Sequence, residues 1–105
     1  MVRPRQKQNV TAVIYDRKGR VLSIGKNSYV KTHPLQAKHA AKAGNPSAVF
    51  LHAEVAAIVR CKNLSKAHRM LVTRLGRNGE TLLAKPCPVC ESAIFAAGIK
   101  FIDHT

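Results

Sequence analysis

The chain has 105 residues, enough for one small domain with a modest core, and 46% of them are hydrophobic. Eighteen Lys and Arg stand against five acids, a net charge of +13 that repels itself and attracts polyanions. No segment reaches the roughly 20 apolar residues of a membrane helix, the basic stretch Met1–Lys7 is not followed by the apolar run of a secretory signal, and three cysteines do not make a disulfide framework. A reducing, cytoplasmic location is the expectation.

Residues 1–8 read as a basic flexible arm and 9–105 as a single domain. Asn9 to Tyr15 is rich in β-branched residues and predicts a strand. Asp16-Arg17-Lys18-Gly19-Arg20 predicts a turn with Gly19 free to take positive φ, and Val21 to Gly25 the returning strand of a hairpin. Lys26 to Pro34 reads as a polar loop. Leu35 to Ala43 predicts a short helix ending at Gly44, with Lys38 and Lys42 on one face. Ser47 is a candidate cap for the next helix. From about Val49 to Cys61 the pattern is helical, with Val55, Ile58 and Val59 as a buried stripe. Arg69 to Leu75 predicts a strand and Gly76 to Glu80 a turn. Pro88 to Ala97 predicts a second main helix closed by Gly98, and Lys100 to Asp103 a last strand. The order β-β-α-β-α-β implies α/β architecture, one sheet with helices packed on it.

Two strings carry the chemistry: His52-Ala53-Glu54, and Pro86-Cys87-Pro88-Val89-Cys90. Pro88 suits the first turn of a helix, where a missing N–H does no harm. Cys87 and Cys90 then share one face, and a helix N-terminus favours their thiolates. His52, Cys87 and Cys90 make three zinc ligands and leave the fourth tetrahedral position open, the pattern of a catalytic rather than a structural site. The open position takes a water whose pKa zinc lowers, and Glu54 is free to move its protons. Hydrolytic loss of ammonia from an amidine-like carbon is the natural reaction. Other readings stand beside it. Cys87-Pro88-Val89-Cys90 alone fits a redox pair, which leaves His52 and Glu54 unused. A structural zinc site would need a fourth ligand from His68, Cys61 or His33. Cys61 reads as a small apolar residue at a helix end, and His33, His39, His68 and His104 as surface histidines.

In this order the two strings resemble the cytidine and deoxycytidylate deaminase superfamily, which also holds adenosine deaminases acting on transfer RNA and polynucleotide cytosine deaminases. The resemblance runs from about Asn9 to Asp103. It implies a three-layer cytidine-deaminase-like fold with one mixed sheet of about four strands. It implies that His52, Cys87 and Cys90 bind zinc, that Glu54 is the proton shuttle, and that the Ala53 N–H contacts the base carbonyl. Asn27 is similar to the family asparagine that holds base or sugar, and the Lys85 carbonyl to a group that accepts from the leaving amine. The sequence departs from the family twice. It ends at Thr105, just after the fourth predicted strand, where members usually continue with a strand and a helix. A more open mouth, or completion by another subunit in a homo-oligomer, is therefore expected. Leu83-Ala84-Lys85 also replaces the Ser/Thr-x-Glu run typical of transfer-RNA adenosine deaminases.

The expected activity is conversion of cytosine to uracil, in a nucleotide or, favoured by the charge, in single-stranded nucleic acid. Candidate phosphate contacts are Lys26 and Lys31 beside the site, Lys38 and Lys42 on the short helix, and Arg74 and Arg77 near the third strand. Tyr29 is the candidate stacking residue. The alternatives are a free (deoxy)cytidylate deaminase, an RNA adenosine deaminase, and a non-catalytic zinc-stabilised module that binds nucleic acid.

Overall fold

A computed structural model describes residues 9–27, 33–42, 52–76 and 78–105. The hairpin forms as the sequence predicts, with β1 at Asn9–Tyr15 and β2 at Val21–Lys26. Gly19 takes φ +79 in the turn between them, a conformation that costs a glycine little. The Asp16 carboxylate organises the turn, accepting from the Lys18 and Arg20 N–H groups and from Arg20 Nε, each at 2.9 Å.

The first helix, α1, spans Pro34–Lys42, and His33 Nδ1 accepts from the Leu35 N–H at its start. The second, α2, spans Ala53–Arg60. It begins later than the apolar pattern from Val49 suggests, because His52 is extended (φ −80, ψ 157) and stands at the N-cap. Cys61 is the C-cap, not part of the helix, and packs half-buried against the core. A 3₁₀ turn at Leu64–Lys66 leads to β3 at Arg69–Leu75. After β4 at Thr81–Leu82 come α3 at Pro88–Ala96 and β5 at Phe101–His104. The expected arm 1–8, the Ser47 cap and the helix end at Gly44 lie outside the described residues.

Among the described residues the sheet is mixed and has five strands. β1 lies between β2 and β3 and is antiparallel to both. On the far side of β3, β5 runs parallel beside Arg69–Val72, while β4 runs antiparallel beside Arg74 and Leu75. Two strands thus share the fourth position; the one that the sequence does not announce is the two-residue β4. Thr105 stitches this corner: its N–H donates to Val72 O, its carbonyl accepts from Ala84 N, and its hydroxyl donates to Leu82 O.

Alternation decides the faces. Ala12 and Ile14 of β1 and Met70 and Val72 of β3 point to one side and are buried, forming one cluster with Ala53, Val55, Ala57 and Ile58 of α2 and Cys90, Ala93 and Ile94 of α3. Helix α2 lies across β1 and β2, α3 beside α2, and α1 against α3. The α2–β2 contact is close because both surfaces are small. A Cβ on Gly25 would stand 2.2 Å from Ala57 N and 2.4 Å from Ala53 O. The Ser23 hydroxyl donates to Ala57 O at 2.7 Å across the same seam. No helix among the described residues is long and apolar enough to cross a membrane.

Candidate metal centre

Two helix N-termini meet at one point. His52 caps α2 and Cys87 caps α3, with Pro88 at the first position of α3. Their carbonyls open the helical ladders, accepting from Ala56 N and Glu91 N at 2.9 Å. Neither side chain caps its own helix. An N-cap side chain ordinarily satisfies a free N–H; here both turn instead to a common point. His52 Nδ1 lies 3.1 Å from Cys90 Sγ and 3.6 Å from Cys87 Sγ. Ligand atoms from all three residues lie within 4.8 Å of one another.

This donor set fits zinc. Metal–sulfur and metal–nitrogen distances of about 2.3 and 2.0 Å at tetrahedral angles put neighbouring donors roughly 3.5–3.8 Å apart, close to the separations found. The electrostatics point the same way. A hydrogen bond from Cys90 brings the Cys87 thiol down to about 4. The reciprocal bond to Cys87, with burial, pushes the Cys90 thiol up. Thiolate is thus favoured at Cys87 and thiol at Cys90, whose proton a metal would displace on binding. The hydrogen bond to Cys87 raises the His52 pKa. Among the described residues the cluster has three members, and Cys61, His68 and His33 do not join it.

The sequence matches the family model for the cytidine and deoxycytidylate deaminase zinc-binding region over residues 1–103. The chain belongs to this family. A search of curated proteins returned no match. The family consists of zinc-dependent deaminases, and His52, Cys87 and Cys90 are the residues positioned here to hold the ion.

Glu54 stands at the second position of α2, only 6% exposed. Burial raises its pKa, and hydrogen bonding from its own backbone N–H works against that rise. A buried carboxylate is costly without compensating partners. The other buried acid, Asp16, has its turn to explain it; Glu54 has the metal donors. Ala53, fully buried, begins α2, where N–H groups lack helical acceptors.

The remaining described candidates lie on or just after β2, on α1, on β3 and on the segment before α3. Asn27 follows β2, and its Oδ1 accepts from the Val10 N–H at 3.2 Å, closing the open end of the hairpin. Lys26 is exposed at the end of β2, Lys38 is exposed on α1, and Lys85 is exposed just before buried Pro86. Arg74 is half-buried and donates from Nη1 to Leu83 O. Lys42 is in α1, but its side chain lies outside the described part of the chain, as do Tyr29, Lys31 and Arg77 altogether.

Two residues behind the centre escape a sequence reading. Gln36 is fully buried, and its Oε1 accepts from the His52 N–H at 3.2 Å, tying α1 to the first ligand. His39 is only 2% exposed and shares a 2.8 Å hydrogen bond with Ser92 of α3. This corrects its expected place on the surface: α1 docks on α3 and encloses the ring. Nothing in the spacing of a nine-residue helix marks either residue, because the partners lie 16 and 53 positions away.

Proposed function

We propose that the protein is a hydrolytic deaminase that converts cytosine to uracil in single-stranded nucleic acid. The observation that carries this reading is Glu54, a buried carboxylate at a three-donor metal cluster. Zinc, when bound, supplies a Lewis acid that lowers the pKa of a water in its open position to roughly 7. The Glu54 carboxylate takes a proton from the attacking water and passes it to ring N3. The C4–N3 double bond opens as the C4–O bond forms. Glu54 then takes the remaining hydroxyl proton and passes it to the exocyclic amine, the exocyclic C4–N bond breaks as the C4 carbonyl forms, and ammonia leaves. Burial suits Glu54 to this work, since a raised carboxylate pKa brings it nearer neutrality and makes it a better base and acid in turn. The Ala53 N–H, at the start of α2, is assigned to the base carbonyl, and the Lys85 carbonyl to the departing amine.

The net charge of +13 supports a polyanionic substrate over a free nucleotide. A single strand is preferred because a duplex base must first be unstacked. Lys26 and Lys38, both exposed, are the described cations assigned to its phosphates beside the centre.

Ammonia release should be compared on deoxycytidylate, cytidine, single-stranded DNA and single-stranded RNA, with sequencing of the polymers. The polymers are expected to be the better substrates. Glu54→Gln is expected to keep zinc and lower the rate by about 10²–10⁴-fold. A wild-type rate in Glu54→Gln would remove the proton shuttle, and deoxycytidylate as the sole substrate would remove the polymer.

A further inference from the structure

We propose that the cleft at the hairpin-turn end of the sheet binds the phosphodiester backbone of single-stranded nucleic acid, at a site separate from the metal centre. The two sites lie at opposite ends of the strands. Gly25, late in β2, packs on the first turns of α2, and Asn27 holds Val10 early in β1. Asp16 is six residues beyond Val10, roughly 20 Å along the strand.

There, a cavity of about 430 Å³ opens between the turn, the 3₁₀ segment and the C-terminal end of α3. Arg17, Lys18, Arg20, Lys66 and Lys100 line it, against the single acid Asp16. That acid is already engaged by Arg20 and by two turn N–H groups. Asp103, the other acid at this end, pairs with Arg69. No carboxylate pairs with Arg17, Lys18, Lys66 or Lys100 among the described residues. Four cations thus share one concave surface, where like charges repel unless an anion joins them.

The cleft also continues onto an aromatic surface, which a free phosphate would not use. A second cavity of about 390 Å³ shares Asp16, Arg17 and His68 with the first and adds Tyr15 and Arg69. Register places Tyr15, Arg69 and Phe101 in one row on the sheet face away from the helices. Arg69 lies over the Phe101 ring, 5.0 Å from its centroid, and the His68 and Phe101 rings meet at 64° with centroids 5.0 Å apart. Phe101 is 46% exposed. Cations that follow a backbone, beside rings on which bases can stack, are the requirements of single-strand binding. Such binding does not depend on the metal centre acting on cytosine.

The test is binding of a fluorescent, cytosine-free oligodeoxythymidylate of about 16 nucleotides to the zinc-loaded protein across a salt series. Lys66→Glu/Lys100→Glu is expected to weaken binding at least about tenfold and to flatten the slope of log K against log salt by about 1.4, near 0.7 for each phosphate no longer neutralised. Arg60→Glu/Lys62→Glu makes the same charge change at exposed positions outside the cleft and is expected to weaken it far less. Phe101→Ala is expected to lower affinity about fivefold or more without changing the slope. Zinc content per chain and far-UV circular dichroism should be unchanged in all three, which shows that they fold. Equal losses in the two double variants would overturn the proposal in favour of overall charge. So would competition by inorganic phosphate, or by duplex DNA, at the same concentration as by the single strand. Failure of the cytosine reading would appear instead as absent ammonia release with this binding intact.

Discussion

His52 and Cys87 occupy positions where helices ordinarily place Ser, Thr, Asp or Asn. Each gives up a capping hydrogen bond and supplies a metal donor in exchange, while the unsatisfied N–H groups of both helices favour thiolate at the junction. Gly25 is the residue that lets α2 come close enough for this. Its φ needs no glycine; its lack of a side chain does. Gly25→Ala would drive a methyl into the backbone at Ala53 and Ala57, one residue from His52 and from Glu54. Backbone on a packed helix cannot rotate aside, so the variant is expected to lose about 1–3 kcal/mol or more. Chemical denaturation would measure that loss, and zinc content per chain would show whether the donors still converge.

At the scale of the element, the β1–β2 hairpin shows how local chemistry fixes a turn. Gly19 supplies the positive φ and Asp16 satisfies the turn N–H groups. These hydrogen bonds, the Arg20 N–H foremost, lower the Asp16 pKa below its ordinary 3.8. A carboxylate whose folded pKa is depressed stabilises the fold above its unfolded pKa, and the contribution is lost as pH falls through the folded value. Asp16→Asn should therefore lower Tm near neutral pH. The difference from wild type should shrink once pH drops below 3.8 and vanish below the folded pKa. A constant difference across that window would show that shape, not charge, holds the turn. Strands β1 and β3 are legible because β-branched runs declare themselves locally. Strand β4 is not, because two residues have no period; it exists only where Arg74 and Leu75 offer it an edge. The start of α2 is hidden for a similar reason. The apolar run continues upstream, but His52 leaves helical geometry to reach Cys90.

Over the whole molecule, one small core and a net charge of +13 must be held together. The metal centre helps, because its donors come from α2 and α3 and are anchored to α1 through Gln36. Zinc at a thousandfold excess over its Kd would contribute about 4 kcal/mol. Stripping it with a chelator is expected to lower Tm by roughly 15–30 °C, at about 4–8 °C per kcal/mol, with recovery on adding zinc. An unchanged Tm would mean that the three donors hold no ion.

The sequence by itself determined the donors, the carboxylate beside them and the family, because each motif is contiguous: HAE and CPVC set their own spacing along the backbone. It also determined the hairpin and the excess of positive charge. Only the tertiary structure decided what those charges and polar groups face. Asn27 turns to Val10, Arg74 to Leu83, Gln36 to His52 and His39 to Ser92, each through a neighbour distant in sequence. Likewise, Arg17, Lys18, Lys66 and Lys100 are scattered along the chain. They become one surface because β1, β3 and α3 bring their ends together at the hairpin-turn end of the sheet.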